Sequence, residues 1–145
     1  KLGNRVAVLG GGYGAEIAVS IARGGKEVAL LSEGDIASIA AAPYLFQGAR
    51  FLMLYGFLAQ ANINIITNAK VKKITHQEVR YLDTEGNEQT VTADTVILAT
   101  DRKPNRELYD ALVGKIAELH DIGDCWRAGT IGSAVHDANH WARQI

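Results

Sequence analysis

Four glycines within five residues are the part of this sequence with the clearest capacity for chemistry. The segment Gly10–Gly14, interrupted only by Tyr13, stands between an apolar strand-like run at 5–9 and an alanine-rich helical run at 15–23. Without a Cβ, the backbone can turn sharply there, and a diphosphate can approach the main-chain N–H groups while facing the positive end of the helix dipole. We therefore predict that a dinucleotide binds at Gly10, Gly11, Gly12, Tyr13 and Gly14.

The spacing of these glycines departs from the usual fingerprint of such a turn. If Gly14 packs the helix on the strand, only Tyr13 separates it from Gly12, where the usual pattern has two residues. Alternatively, Ala15 takes the third small position and the helix begins one residue late. Counted from Gly14, the helix face expected to pack on a sheet is small and apolar. It contains Ala18, Ile21 and Ala22.

The end of the second strand-like run, Val28–Leu31, indicates which nucleotide is preferred. Ser32 occupies the place where an acid usually binds the adenosine ribose, and Glu33 follows it. A 2′-phosphate would favour Arg or Lys here, whereas residues 32–35 supply acids and no cation. We therefore expect NAD(H) rather than NADP(H), with Ser32 and Glu33 near the ribose.

Composition limits the remaining possibilities. The chain of 145 residues is 48% hydrophobic, enough for one core, and its 15 basic and 16 acidic residues leave a net charge of −1. We expect neither nucleic acid nor membrane as a partner, since there is no basic excess and no apolar stretch of membrane-spanning length. The single Cys125 and the absence of a signal peptide favour the cytoplasm. Because the chain begins almost at a strand and lacks an initiator Met, we interpret it as a piece of a longer polypeptide.

Hydrophobic periodicity predicts the elements that position the glycine turn. Beyond Pro43, a helix is expected over about 47–60, followed by a parallel strand at 63–67. The side chains expected to face the sheet from this helix are Phe51, Leu54, Tyr55, Leu58 and Ala59. Three short β-rich runs then predict an antiparallel meander, at 69–75, 78–82 and 89–93. With a last central strand at 95–99, the prediction is an α/β, Rossmann-like three-layer domain with a central parallel sheet and a three-stranded antiparallel β-meander.

Two later motifs, Ala99–Asn105 and Ile122–Cys125, complete a pattern that resembles a known family. Together with residues 105–112 and 134–137, their order and spacing look like the C-terminal region of the NADH:flavin oxidoreductase, 2,4-dienoyl-CoA reductase and trimethylamine dehydrogenase family. These are flavoproteins with two dinucleotide-binding domains, and the resemblance covers nearly all of the chain. It implies a preceding TIM barrel that holds FMN beside an iron–sulfur cluster.

The resemblance also implies how this chain is organised. Residues 1–121 would be the NAD(P)-binding domain, and residues 122–145 would be the end of a split FAD-type domain, packed on the same unit. The flavin and TIM-barrel domains of the parent chain would be its partners. FAD, FMN and the iron–sulfur cluster are expected only in the full-length protein, so the isolated domain should be inactive.

Individual residues take roles by this resemblance. Asp124 matches an acid that binds a flavin ribityl hydroxyl, or it simply caps the following turn. Ala99, Thr100 and Asp101 stand where the family has Ala-Thr-Gly beside the dinucleotide, and the aspartate adds bulk and negative charge near the phosphates. Glu16 matches an acid that orients the nicotinamide carboxamide or ribose, or it only complements the helix N-terminus.

Other chemistry finds less support in the sequence. Cys125 has no CxxC partner for disulfide exchange. His136 and His140 share a helix face at a spacing that can bind metal, but no ligand cluster accompanies them, so no metal site is expected. No catalytic side chain is expected either, since hydride transfer to a flavin is carried out by the cofactors. The function predicted is a module that positions NAD(P)H for such transfer; the alternative is a structural or ADP-binding domain with a degenerate nucleotide site.

Overall fold

The computed structural model describes residues 1–40 and 47–144. The chain divides into two compact units, Lys1–Thr100 and Asp101–Ile145. Pro43, expected to separate a short helix or loop from the helix at 47–60, lies outside the described residues. The elements of the first unit are β1 (Arg5–Leu9), α1 (Tyr13–Arg23), β2 (Glu27–Leu31), α2 (Ile36–Ala40), α3 (Gln47–Gln60), β3 (Ile63–Ile66), β4 (Lys70–Ile74), β5 (Glu78–Leu82), β6 (Glu88–Thr92) and β7 (Thr95–Leu98).

Two sheets build the first unit. The central sheet has the order β3-β2-β1-β7, and all of its neighbouring pairs are parallel. The second sheet is the antiparallel meander β4-β5-β6. The predicted α/β fold, with a parallel sheet and a three-stranded meander, is therefore confirmed.

The central strands are buried on both faces, which explains their continuous apolar sequences. On one face, Val8 and Leu30 pack with residues of the helices, including Ala15 and Leu58. On the other face, small Ala7 and its neighbours pack against the meander. The three layers are thus helices, parallel sheet and meander, and both cores meet at β1 and β2.

The predicted buried face of α3 is wrong in part. Leu54 and Leu58 are buried, but Tyr55 is 44% exposed and Ala59 is also exposed. Because each helical residue turns the chain by about 100°, these two point away from the face that Leu54 and Leu58 share. Phe57 packs against the core instead.

The second unit contains α4 (Glu107–Leu112), a 3₁₀ turn (Gly123–Cys125) and α5 (Ile131–Ala142). Thr130 caps the last helix: its hydroxyl accepts from the Ser133 N–H in a capping box. No residue of these three elements is buried. Polar and aromatic contacts order the unit, among them the stacked rings of His120 and Trp141, whose centroids are 3.8 Å apart.

Candidate nucleotide-binding site

The turn after β1 begins at Gly10, which lies between the ends of the two neighbouring strands, β2 and β7. Its φ is +121°, and a Cβ there would lie 2.2 Å from the Ala99 carbonyl oxygen and 3.1 Å from the Thr100 nitrogen. The Gly10 N–H donates to the Leu31 carbonyl at 2.8 Å. Gly10 is therefore required by the approach of the chain that follows β7, and Ala99 and Thr100 lie beside the turn.

Gly14 brings α1 close to the sheet. A Cβ at this position would lie 3.2 Å from the Ala99 Cβ and 3.6 Å from Val8 Cγ1. The helix begins at Tyr13, directly after Gly12. The structure thus has the shorter of the two registers considered, with Gly14 as the packing glycine and a turn one residue short.

The short helix α2 packs onto the middle of the turn. The Gly12 N–H donates to the Ile39 carbonyl at 2.8 Å, and a Cβ on Gly11 would lie 3.3 Å from Ile39 Cα and from the Ser38 carbonyl oxygen. Ile39 itself is fully buried. One of the amides predicted to bind phosphate is therefore already engaged by the protein, a contact that the sequence did not reveal.

Two other amides of the turn remain available. Within the described ranges, the N–H groups of Gly11 and Tyr13 donate to no backbone carbonyl. Both lie at the N-terminus of an 11-residue helix, where the dipole favours an anion. The Tyr13 side chain is 55% exposed, so it does not fill the turn. N–H groups in this position can donate to the oxygens of a diphosphate.

The predicted ribose position lies at the end of β2. Ser32 is 5% exposed, and its hydroxyl oxygen accepts from the Gly34 N–H at 3.2 Å, which leaves the hydroxyl proton to donate. Glu33 is exposed. Asp35 caps α2 by accepting from the Ser38 N–H at 2.8 Å. This loop supplies hydroxyl and carboxylate groups, a set suited to ribose hydroxyls.

Glu16 is paired with a residue that sequence reasoning missed. Its carboxylate oxygen Oε1 lies 2.6 Å from Arg50 Nη2 and 2.9 Å from Arg50 Nε. The Arg50 side chain is 20% exposed and that of Glu16 is 49% exposed. Beyond this pair, a shallow cleft runs between α1 and α3, with Leu54 and Phe57 in its lining. The available signal was that Arg50 is the single charged residue in the sequence of α3.

Asp124 belongs to the second unit, whose first residue is Asp101. One Asp124 oxygen accepts from Arg102 Nη1, and the other accepts from the Gly129 N–H at 3.1 Å. Arg102 Nη2 also donates to the Gly129 carbonyl at 2.7 Å. The Asp124 side chain is 50% exposed, so its remaining lone pairs face solvent and can accept further donors.

The family model of the pyridine nucleotide-disulphide oxidoreductases matches residues 1–121. The chain belongs to this family. It is an oxidoreductase family whose chemistry involves a flavin and a pyridine nucleotide. The amides of Gly11 and Tyr13, and the polar groups at the end of β2, are groups that can bind a pyridine nucleotide.

Relatives of this oxidoreductase domain are longer proteins. The chain is 32% identical over 139 residues to a bilirubin reductase of Mediterraneibacter gnavus, covering 92% of this chain and 20% of the relative. It is 27% identical over 147 residues to a cinnamate reductase of Clostridium sporogenes, covering 100% and 22%. A solved 2-naphthoyl-CoA reductase is similar at a TM-score of 0.80 and 26% identity, covering 100% and 22%. The chain thus spans about a fifth of the length of these relatives, which are multi-domain proteins.

The histidines of the last helix lie apart from any cluster of metal ligands among the described residues. In the second unit, His140 Nε2 lies 2.9 Å from the Gln144 amide nitrogen, and the His136 side chain is exposed. Among the described residues, no group of three or more His, Cys, Asp or Glu side chains could hold a metal ion. In the same part of the chain, no helix is long and apolar enough to cross a membrane.

Proposed function

We propose that this chain is the pyridine-nucleotide-binding module of a flavin-dependent oxidoreductase that resembles the NADH:flavin oxidoreductase, 2,4-dienoyl-CoA reductase and trimethylamine dehydrogenase family. One observation carries the proposal: at the positive end of α1, the N–H groups of Gly11 and Tyr13 donate to no backbone carbonyl of the described residues. Membership of the oxidoreductase family supports it, as does the similarity over the whole chain to a cinnamate reductase and a 2-naphthoyl-CoA reductase.

Each part of the site has a task in this proposal. When bound, the nicotinamide supplies a hydride to a flavin held elsewhere in the full-length protein. Gly11 and Tyr13 hold the diphosphate through their amides. Ser32 donates its hydroxyl proton to the adenosine ribose, and the exposed Glu33 accepts from a ribose hydroxyl. Glu16 orients the nicotinamide end while Arg50 holds its carboxylate in place.

The charge around the ribose supports NAD(H) as the preferred nucleotide. Glu33 and Asp35 are exposed acids beside Ser32. An added 2′-phosphate would be repelled by both, and residues 32–35 contain no Lys or Arg to receive it. We expect NADH to bind more tightly than NADPH, by about tenfold in Kd for one unfavourable charge interaction.

A second candidate function is that of an ADP-binding or structural domain. Two contacts favour it: the Gly12 N–H is engaged by Ile39, and the Glu16 carboxylate is engaged by Arg50. Asp101, in place of the family's glycine, adds a carboxylate to the segment expected near the phosphates. In this case the adenosine half would bind and the nicotinamide half would not.

The exposed apolar residues of the second unit favour the presence of further domains in the same polypeptide. Its helices have no buried residue, and Ile131 and Val135 of α5 are 86% and 61% exposed. Such an apolar face is costly in water. We propose that residues 122–145 complete a FAD-type domain, with Asp124 at a flavin ribityl hydroxyl, and that FMN, an iron–sulfur cluster and a TIM barrel belong to the parent chain.

Calorimetric titration of the 145-residue chain with NADH, NADPH and ADP separates the two candidates. Micromolar binding of NADH, tighter than that of ADP, is expected for the pyridine-nucleotide module. Equal affinity for ADP and NADH would mean that the nicotinamide half makes no contact, in favour of the second candidate. Binding of none of the three would leave only a scaffold.

A further inference from the structure

Arg102 makes a closed set of contacts around the proposed flavin acid. Its guanidinium donates through Nη1 to Asp124 Oδ2 and through Nη2 to the Gly129 carbonyl, while the Gly129 N–H donates to Asp124 Oδ1. Arg102 therefore binds one oxygen of the carboxylate and the Gly129 carbonyl, and the Gly129 N–H binds the other carboxylate oxygen. A planar guanidinium is suited to this double contact because its N–H groups diverge in one plane.

The turn that carries Asp124 needs such support. It is only three residues long and begins at Gly123, whose φ is +62°. No residue in the 3₁₀ turn is buried, so packing does not fix the orientation of the carboxylate. The Arg102 and Asp124 side chains are 56% and 50% exposed, so an ion pair alone would contribute little to stability.

We propose that Arg102 is a positioning residue, holding the Asp124 carboxylate so that its free lone pairs accept from the ribityl hydroxyls of a flavin. The inference rests on the proposed function, which assigns Asp124 to the flavin. It adds that Arg102, in the segment that follows β7, determines flavin affinity without touching the flavin. Lysine would only partly replace it, because one ammonium cannot reproduce the forked contact to Asp124 and Gly129.

The test uses the full-length protein that carries this chain, stripped of flavin and titrated with FAD and, separately, with ADP. Arg102→Gln should raise the Kd for FAD about tenfold, the loss expected for one well-placed charge-assisted hydrogen bond, and leave the Kd for ADP unchanged. Arg102→Lys should recover part of the affinity. Asp124→Ala should weaken FAD at least as much, and the double variant should be no weaker than Asp124→Ala.

The exposed Arg127, close in sequence to the same turn, provides the matched control through Arg127→Gln. If Asp124→Ala weakens FAD but Arg102→Gln does not, the positioning role is wrong and the flavin assignment stands. If Arg102→Gln weakens FAD and ADP equally, Arg102 only supports the fold of the unit, which also overturns the inference. If Asp124→Ala leaves FAD binding unchanged, the flavin assignment itself fails, and the inference fails with it.

Discussion

Gly10 offers the sharpest test of how the turn is built. An alanine Cβ at this position would lie 2.2 Å from the Ala99 carbonyl oxygen and 2.7 Å from the Ala99 carbonyl carbon. Both are backbone atoms of the residue that directly follows β7. Gly25 provides a matched control, since its φ of +79° is also left-handed but nothing lies within 4 Å of a Cβ there. Both substitutions place a Cβ at positive φ, with more backbone strain at +121° than at +79°, and only Gly10→Ala adds a clash.

The expected magnitudes follow from these two terms. Gly25→Ala should cost about 1 kcal/mol of unfolding free energy, the usual penalty for a left-handed non-glycine residue. Gly10→Ala adds the overlap with rigid backbone and should cost about 3 kcal/mol or more. Urea unfolding followed by far-UV circular dichroism measures both, because this signal follows the helices and strands of the first unit directly. Equal losses for the two variants would refute the idea that β7 requires a glycine here.

Three further predictions concern other contacts. Hydrogen bonds from the Arg5 side chain and N–H lower the pKa of Asp94 from 3.8 to about 2, so its stabilising contribution is present above pH about 4 and lost as pH falls towards 2. Urea unfolding of Asp94→Asn should therefore show a weaker dependence on pH in this range than the original chain, and parallel curves would contradict this. Val79, on strand β5 of the meander, is fully buried against the central sheet, so Val79→Ala should lower the unfolding free energy by about 2 kcal/mol by the same method; no loss would mean that the meander packs loosely. Glu16→Gln should weaken NADH about tenfold in calorimetry without changing ADP, whereas unchanged NADH binding would restrict Glu16 to helix packing.

The architecture was predictable because it depends on local periodicity. Runs such as Val28–Leu31 are apolar at every position, and that pattern is typical of a parallel strand covered on both sides. The alternation at 78–82 and the turn around Gly86 were equally clear signals of a meander. The face of α3 was harder, since its sequence is apolar nearly all round and periodicity then cannot decide which side is buried.

The site was less predictable because its polar partners are distant in sequence. Glu16 pairs with a residue 34 positions away, and Arg102 pairs with a residue 22 positions away. A carboxylate has the same appearance in a sequence whether it awaits a ligand or already has a partner. Whether a carboxylate is already paired depends on the tertiary structure. For Glu16 it depends on the packing of α3 on α1, and for Asp124 it depends on the path of the chain from Arg102.

The glycines of the turn illustrate why such motifs are weak evidence when taken alone. A Cβ on Gly10 would overlap the Ala99 backbone at 2.2 Å, whereas one on Gly11 would crowd α2 at 3.3 Å and one on Gly14 would crowd the Ala99 side chain at 3.2 Å. Packing within the protein therefore favours these glycines whether or not a nucleotide binds. The proposal of a ligand depends instead on the N–H groups of Gly11 and Tyr13, which have no backbone acceptor within residues 1–40 and 47–144, whereas the N–H of Gly12 has one. Substitutions that preserve the glycines and alter the groups around the nucleotide are therefore the informative ones.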